Sequence, residues 1–161
     1  METRLTTGRH TPQPVTTCFE RQYRASAAIV GLSRTVIGEQ GARWRLPAAM
    51  TDSLGRCVSE LVSNAVAVSG CTDLIKIRLE RSATCVILSV FDRSPRQPVS
   101  SAPHLTLEAI DALPDDGGPM TLPEFGGWGL PLVESLADAI GAHWIEPAPQ
   151  SGKWIWAGFN F

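Results

Sequence analysis

The sequence predicts one α/β or α+β domain, and three observations carry that reading. The chain has 161 residues, 43% of them hydrophobic, enough for one core and too few for two generous ones. The stretch "DLIKIRLE" alternates Ile75, Ile77 and Leu79 with Lys76, Arg78 and Glu80, the two-residue period of a strand with one buried face. Upstream of it, Met50, Leu54, Cys57, Leu61, Ala65 and Val68 recur as a continuous stripe at helical spacing.

The remaining elements follow in chain order. Residues 1–15 are rich in Thr and Pro without periodicity and read as a flexible N-terminal tail, leaving 16–161 as the folded domain. "TCFERQYRA" places Phe19 and Tyr23 on one face of an edge strand, and Ile29, Leu32, Val36 and Ile37 then recur as in a helix. Pro47 opens the striped helix, where a first turn tolerates it, and the helix is expected to end near Gly70. After "DLIKIRLE", a turn at "RSAT" leads into "CVILSVFD", which is apolar on both faces and so predicts a central strand in a hairpin. Residues 93–126 carry many Pro, Gly and Asp, with a weak helical pattern at "LTLEAIDAL"; a loop this long is functional or mobile. Leu130, Leu132, Val133, Leu136, Ala137 and Ile140 predict a last helix, and "HWIEP" with "KWIWAGFNF" a closing hairpin across "APQSG". No internal repeat is present.

Composition excludes several classes of function. The net charge is -2, from 14 basic and 16 acidic residues, with no long basic run, so the footprint of a nucleic-acid or anionic-membrane binder is missing. No apolar segment approaches the ~20 residues of a membrane helix, and the first residues lack the apolar centre of a signal peptide. A cytoplasmic protein is expected. Cys18, Cys57, Cys71 and Cys85 are widely spaced, without a CxxC or a nearby histidine pair, and read as reduced core thiols.

Three short stretches carry chemistry. In "SELVSNAV", Glu60 and Asn64 stand at i and i+4 and project from one line of the helix. A carboxylate and an amide so placed can share a metal and a water, or can be the ordinary polar strip of a half-buried helix. In "VFDRSPRQP", Asp92 closes the central strand ahead of a Ser-Pro turn. There it can accept from an exocyclic amine such as that of adenine, or simply start the turn. In "EFGGWGLPLVESLAD", Gly126, Gly127 and Gly129 precede a helix. Glycines let the backbone approach a ligand, and a helix start offers free N–H groups and partial positive charge to phosphate.

In this order, the stretches resemble the GHKL or Bergerat-fold ATPases, histidine-kinase-like domains, and within them the small ATP-binding proteins related to bacterial anti-sigma-factor serine kinases. The resemblance runs from Phe19 to Phe161. "ELVSNAV" resembles the family's N box, "VFDRSPRQP" its first glycine box, "GGWGLPLVESLAD" its second, and "GKWIWAGF" its usual last strand.

The resemblance implies a two-layer α/β sandwich, a mixed, mostly antiparallel sheet with helices on one face. It implies ATP and Mg2+ as cofactors. Glu60 would be the general base and Asn64 the Mg2+ ligand; Asp92 would bond the adenine amine, and Ser94 and Pro95 would shape the adenine pocket. Residues 96–126 would form a lid, with Gly127, Gly129 and Leu130 against the phosphates. The implied function is a serine/threonine protein kinase and anti-sigma factor that sequesters a sigma factor and phosphorylates an antagonist protein, with no direct nucleic-acid or membrane contact. Relatives often dimerise, so a homodimer is compatible. The alternative is a nucleotide-responsive switch with little or no kinase activity. Two departures keep it open. Val68 and Ala67 stand where many relatives carry His and Arg, leaving Lys153, Arg93 or Arg96 to supply a phosphate-facing cation. Pro95 occupies a common glycine site, and bulky Trp128 sits between glycines.

Overall fold

A computed structural model describes residues 15–94, 129–145 and 151–161. In chain order these form β1 (Thr17–Arg24), α1 (Ala28–Arg43), α2 (Ala48–Val68), β2 (Leu74–Arg81), β3 (Cys85–Asp92), α3 (Gly129–Leu136), β4 (Ala139–Ile145) and β5 (Gly152–Asn160). The strands form one sheet of order β1-β2-β3-β5-β4, and all four described ladders are antiparallel. The N-terminal tail through residue 14 lies outside the described residues.

Alternation along the strands decides which face is dry. Ile75, Ile77 and Leu79 of β2, Val86, Leu88 and Val90 of β3, and Ile155, Ala157 and Phe159 of β5 share the inner face and are at most 4% exposed. Against them lies α2, whose Leu54, Cys57, Val58, Leu61, Val62 and Ala65 are at most 1% exposed. Helices α1 and α3 flank α2, so the hydrophobic core is the seam between one helical layer and one sheet. β3 sits at the centre, as its two-faced apolarity predicts.

Four expectations need correction. The α2 stripe outruns the core: Val68, in its last turn, is 42% exposed, and the backbone turns extended at Ser69. On α1, Ile29 and Ile37 are buried as expected, but Leu32 is 46% exposed and Val36 half-buried, while Ser33, Gln40 and Gly41 are buried. The helix approaches α2 through small and polar residues: a Cβ on Gly41 would lie 2.9 Å from the Thr51 side chain, and Arg34 Nε donates to Ser59 Oγ at 2.9 Å. The third helix stops at Leu136, and Ile140 belongs to β4. The Asp138 N–H already donates to the Gly158 carbonyl at 2.9 Å, and Ile140 faces Ala157 across the ladder, so sheet pairing overrides the helical spacing. Last, only Cys57 and Cys85 are buried; Cys18 and Cys71 are exposed. Cys18 alternates with inward-packed Phe19 on β1, and Cys71 follows α2 in the turn.

Between α1 and α2 the chain reverses through Arg45, whose φ of 51° is left-handed. Its N–H donates to the Ala42 carbonyl and that of Leu46 to the Gly41 carbonyl, both at 3.0 Å. These bonds satisfy the open end of α1 and set α2 across the sheet.

Candidate functional site

Helix α2 is the element on which the candidate residues converge, because it packs against both β3 and α3. Glu60 and Asn64 are half-buried on α2, flanked by buried Ser59, Leu61 and Ala65. Neither has a hydrogen-bond or ion-pair partner among the described residues. Two polar groups one turn apart, held by a helix and left unanswered, are available to a ligand. Glu60 also marks its surroundings: burial, and then its charge, push the Cys57 thiol up to about 12, so that buried sulfur stays protonated and inert.

Asp92 ends β3 on the inner face, where it is 2% exposed. Its Oδ1 accepts the Ser94 N–H at 2.8 Å, an Asx-type turn that fixes the chain as it leaves the strand. Directly opposite in the ladder stands Lys153 of β5, 3% exposed. Its Nζ donates to Asp92 Oδ1 at 2.7 Å and to the Ser94 carbonyl at 3.1 Å. Ser94 is itself buried at 7% exposure. Three residues from two strands and a turn therefore form one dry polar cluster.

This cluster corrects the expectation that Lys153 supplies a phosphate-facing cation. Its charge is engaged by Asp92 and its position is inside the sandwich. Arg93 is exposed, and Arg96 lies outside the described residues. The missed partnership carries a signal in the sequence: in "KWIWAGFNF", Lys153 shares its face with Ile155, Ala157 and Phe159. An inward lysine calls for a carboxylate.

Gly129 is the first residue of α3, with Leu130 next to it. The Leu130 side chain is 2% exposed and belongs to the core, so only its backbone, in the first turn of α3, would be open to a ligand. Pro95, Gly127 and the lid span 96–126 lie outside the described residues. Among the described residues, no cluster of three or more His, Cys, Asp or Glu could hold a metal by itself. The amide of Asn64 with the carboxylate of Glu60 suits a magnesium ion that keeps most of its other ligands as water and phosphate oxygens. No helix among the described residues is long and apolar enough to cross a membrane.

Comparison with known proteins places this geometry. Among solved structures, the chain is similar to SiaB in the SiaB–SiaC complex from Pseudomonas aeruginosa, with a TM-score of 0.59 at 12% identity over 91% of this chain and 90% of that one. It is also similar to the RsbU and RsbW domains of Rv1364c from Mycobacterium tuberculosis, with a TM-score of 0.54 at 17% identity over 89% of this chain. It spans 32% of that longer chain. These likenesses show the fold. No curated protein matches the sequence. The profile of the histidine kinase-like ATPase domain matches residues 23–157, most of the chain, and so the chain belongs to the histidine kinase-like ATPase domain family.

Proposed function

We propose that the chain binds ATP with Mg2+ and acts as an anti-sigma-factor-type serine/threonine kinase on an antagonist protein. The observation that carries the proposal is the Glu60 and Asn64 pair on α2, without a hydrogen-bond or ion-pair partner among the described residues, in a histidine kinase-like ATPase fold with a carboxylate at the end of β3. In this reading Asn64 would hold Mg2+ against the phosphates, and Asp92 and Ser94, with Pro95, would receive the adenine. The backbone at Gly127, Gly129 and Leu130 would face the phosphates. The nucleotide supplies the phosphoryl group. Glu60 would orient the acceptor hydroxyl and take its proton, a contribution of about 10²- to 10⁴-fold for a positioned base.

A protein partner is supported by one structural neighbour, SiaB, which was solved in complex with SiaC; in Rv1364c the RsbU and RsbW domains belong to one chain. A second reading, a nucleotide-responsive switch without transfer, has its own observation. Lys153 is committed to Asp92, and the α2 line through Glu60 and Asn64 ends in exposed Val68 rather than a cation. Phosphoryl transfer rests on positioning and charge neutralisation, so a missing cation lowers rate more than affinity.

One set of measurements separates them. ATP and Mg2+ should raise thermal stability, by about 2.7 kcal/mol at ~100 times Kd. Glu60→Ala should leave ATP affinity within about twofold while abolishing phosphate transfer to Ser or Thr of antagonist proteins from the same genome, scored by mass; Asn64→Ala should weaken both. If wild type binds ATP but modifies no antagonist, the switch reading replaces the kinase. If neither ATP nor ADP shifts stability, both fall.

A further inference from the structure

A lysine buried at the start of a strand demands an answering charge, and Lys153 has one. Its ammonium group carries three N–H bonds, of which Asp92 Oδ1 and the Ser94 carbonyl take two. Among the described residues no acceptor takes the third. Asp92 has the complementary asymmetry. Both of its described hydrogen bonds, from the Ser94 N–H and from Lys153, end on Oδ1, so Oδ2 keeps its lone pairs for another donor. An acceptor and a donor thus stand side by side, more than nine-tenths buried and fixed by cross-strand register.

A lone carboxylate reads one amino group, whereas an acceptor beside a donor reads the edge of a base. Adenine presents a 6-amino donor next to the N1 acceptor. A 6-oxopurine presents the reverse, an O6 acceptor next to an N1–H donor. We infer that Lys153 is a second base-reading residue: Asp92 Oδ2 accepts from the 6-amino group while Lys153 Nζ donates to N1. The inference rests on the reading of Asp92 as the adenine contact given above. It assigns Lys153 to the base rather than to the phosphates, and makes the site reject 6-oxopurine nucleotides at two adjacent atoms. A hydrogen bond with a charged partner discriminates more sharply than a neutral one.

The test uses the full wild-type chain, so no variant need fold. Calorimetry compares ADP with 1-deaza-ADP, in which a C–H replaces N1, and with inosine diphosphate. Loss of one hydrogen bond to a charged group should weaken 1-deaza-ADP by about 10- to 100-fold, and inosine diphosphate should bind at least as poorly. In Lys153→Met, checked for folding by circular dichroism, ADP and 1-deaza-ADP should bind equally. A lysine that merely neutralises Asp92 would leave ADP and 1-deaza-ADP equal in the wild type, and that result overturns the inference while leaving nucleotide binding intact. Inosine diphosphate binding as tightly as ADP overturns it too, since the pair would then be read in the opposite order. No binding of ADP at all overturns both the inference and the adenine reading beneath it.

Discussion

Two ion pairs cross the same sheet at the same length, and they are physically unlike. Glu20 and Arg78 face each other across the β1–β2 ladder and Asp92 and Lys153 across the β3–β5 ladder; each pair closes to 2.7 Å. The first lies on the outer face with side chains 35% and 38% exposed. The second lies on the inner face at 4% and 3%. Arg78 has a second support, the Trp154 ring, 4.4 Å from its guanidinium, and water can solvate whatever Glu20 leaves behind. Lys153 also has a second partner, the Ser94 carbonyl, but burial leaves neither it nor Asp92 open to water. Contact distance therefore says little about what a pair does; what its members would face if separated decides it. A buried pair is weak evidence for net stability, and its better-attested use is to hold groups in one arrangement, as the base-reading role proposed for Asp92 and Lys153 would require.

The largest expected effect comes from breaking the buried pair on one side. Lys153→Met should cost about 3–5 kcal/mol, because it strands the Asp92 carboxylate in the sandwich. The double variant Lys153→Met/Asp92→Leu should recover most of that loss, as apolar replacement of a whole buried pair is often neutral. Urea denaturation at neutral pH, with the slope unchanged, is the measurement. A single-variant loss below about 1 kcal/mol would show that water reaches the pair, and the contrast with Glu20 and Arg78 would collapse.

Two glycines sharpen the contrast at the level of packing. A Cβ on Gly152 would fall against the Phe91 ring and 2.5 Å from the Asp92 carbonyl oxygen, backbone that cannot move without shifting the end of β3. The three atoms nearest a Cβ on Gly141 all belong to the indole of half-buried Trp156, a side chain that can shift without moving backbone. Gly152→Ala should therefore cost about 1–3 kcal/mol, as overpacking does, and Gly141→Ala less. The reverse order would mean that the β3–β5 end yields more readily than the outer face. Thermal unfolding of the two variants decides it.

The same contrast explains what was legible in the sequence. The β2 alternation and the α2 stripe lie within single elements, and so does the one-turn spacing of Glu60 and Asn64; periodicity alone reveals them. Asp92 at a strand end is legible for the same reason. Its partner is not, because Lys153 is 61 residues away and reaches it only once β5 inserts between β3 and β4. On helix α1 the helical period finds buried Ile29 and Ile37 but adds exposed Leu32, because the rest of the buried side is Ser33, Gln40 and Gly41, which hydrophobicity does not mark. At Ile140 the helical and strand periods coincide, and the ladder to Ala157 settles the matter.

The smallest expected effect is on the outer pair. Glu20→Ala should cost about 0–1 kcal/mol at low salt, since both partners remain hydrated and long side chains lose entropy to stay paired. At ~1 M salt, where the Debye length falls to about 3 Å, even that difference should fade, while the Lys153→Met loss persists because salt does not enter the sandwich. Arg78 keeps its place over Trp154 without Glu20, so no charge is stranded and no compensating variant is needed. Denaturation of wild type and Glu20→Ala across a salt series measures both points. A salt-independent loss above about 1 kcal/mol would mean that this face is shielded from water in solution. Cys18, Glu20 and Gln22 would then lie against a covering surface, and the two ion pairs would be of one kind.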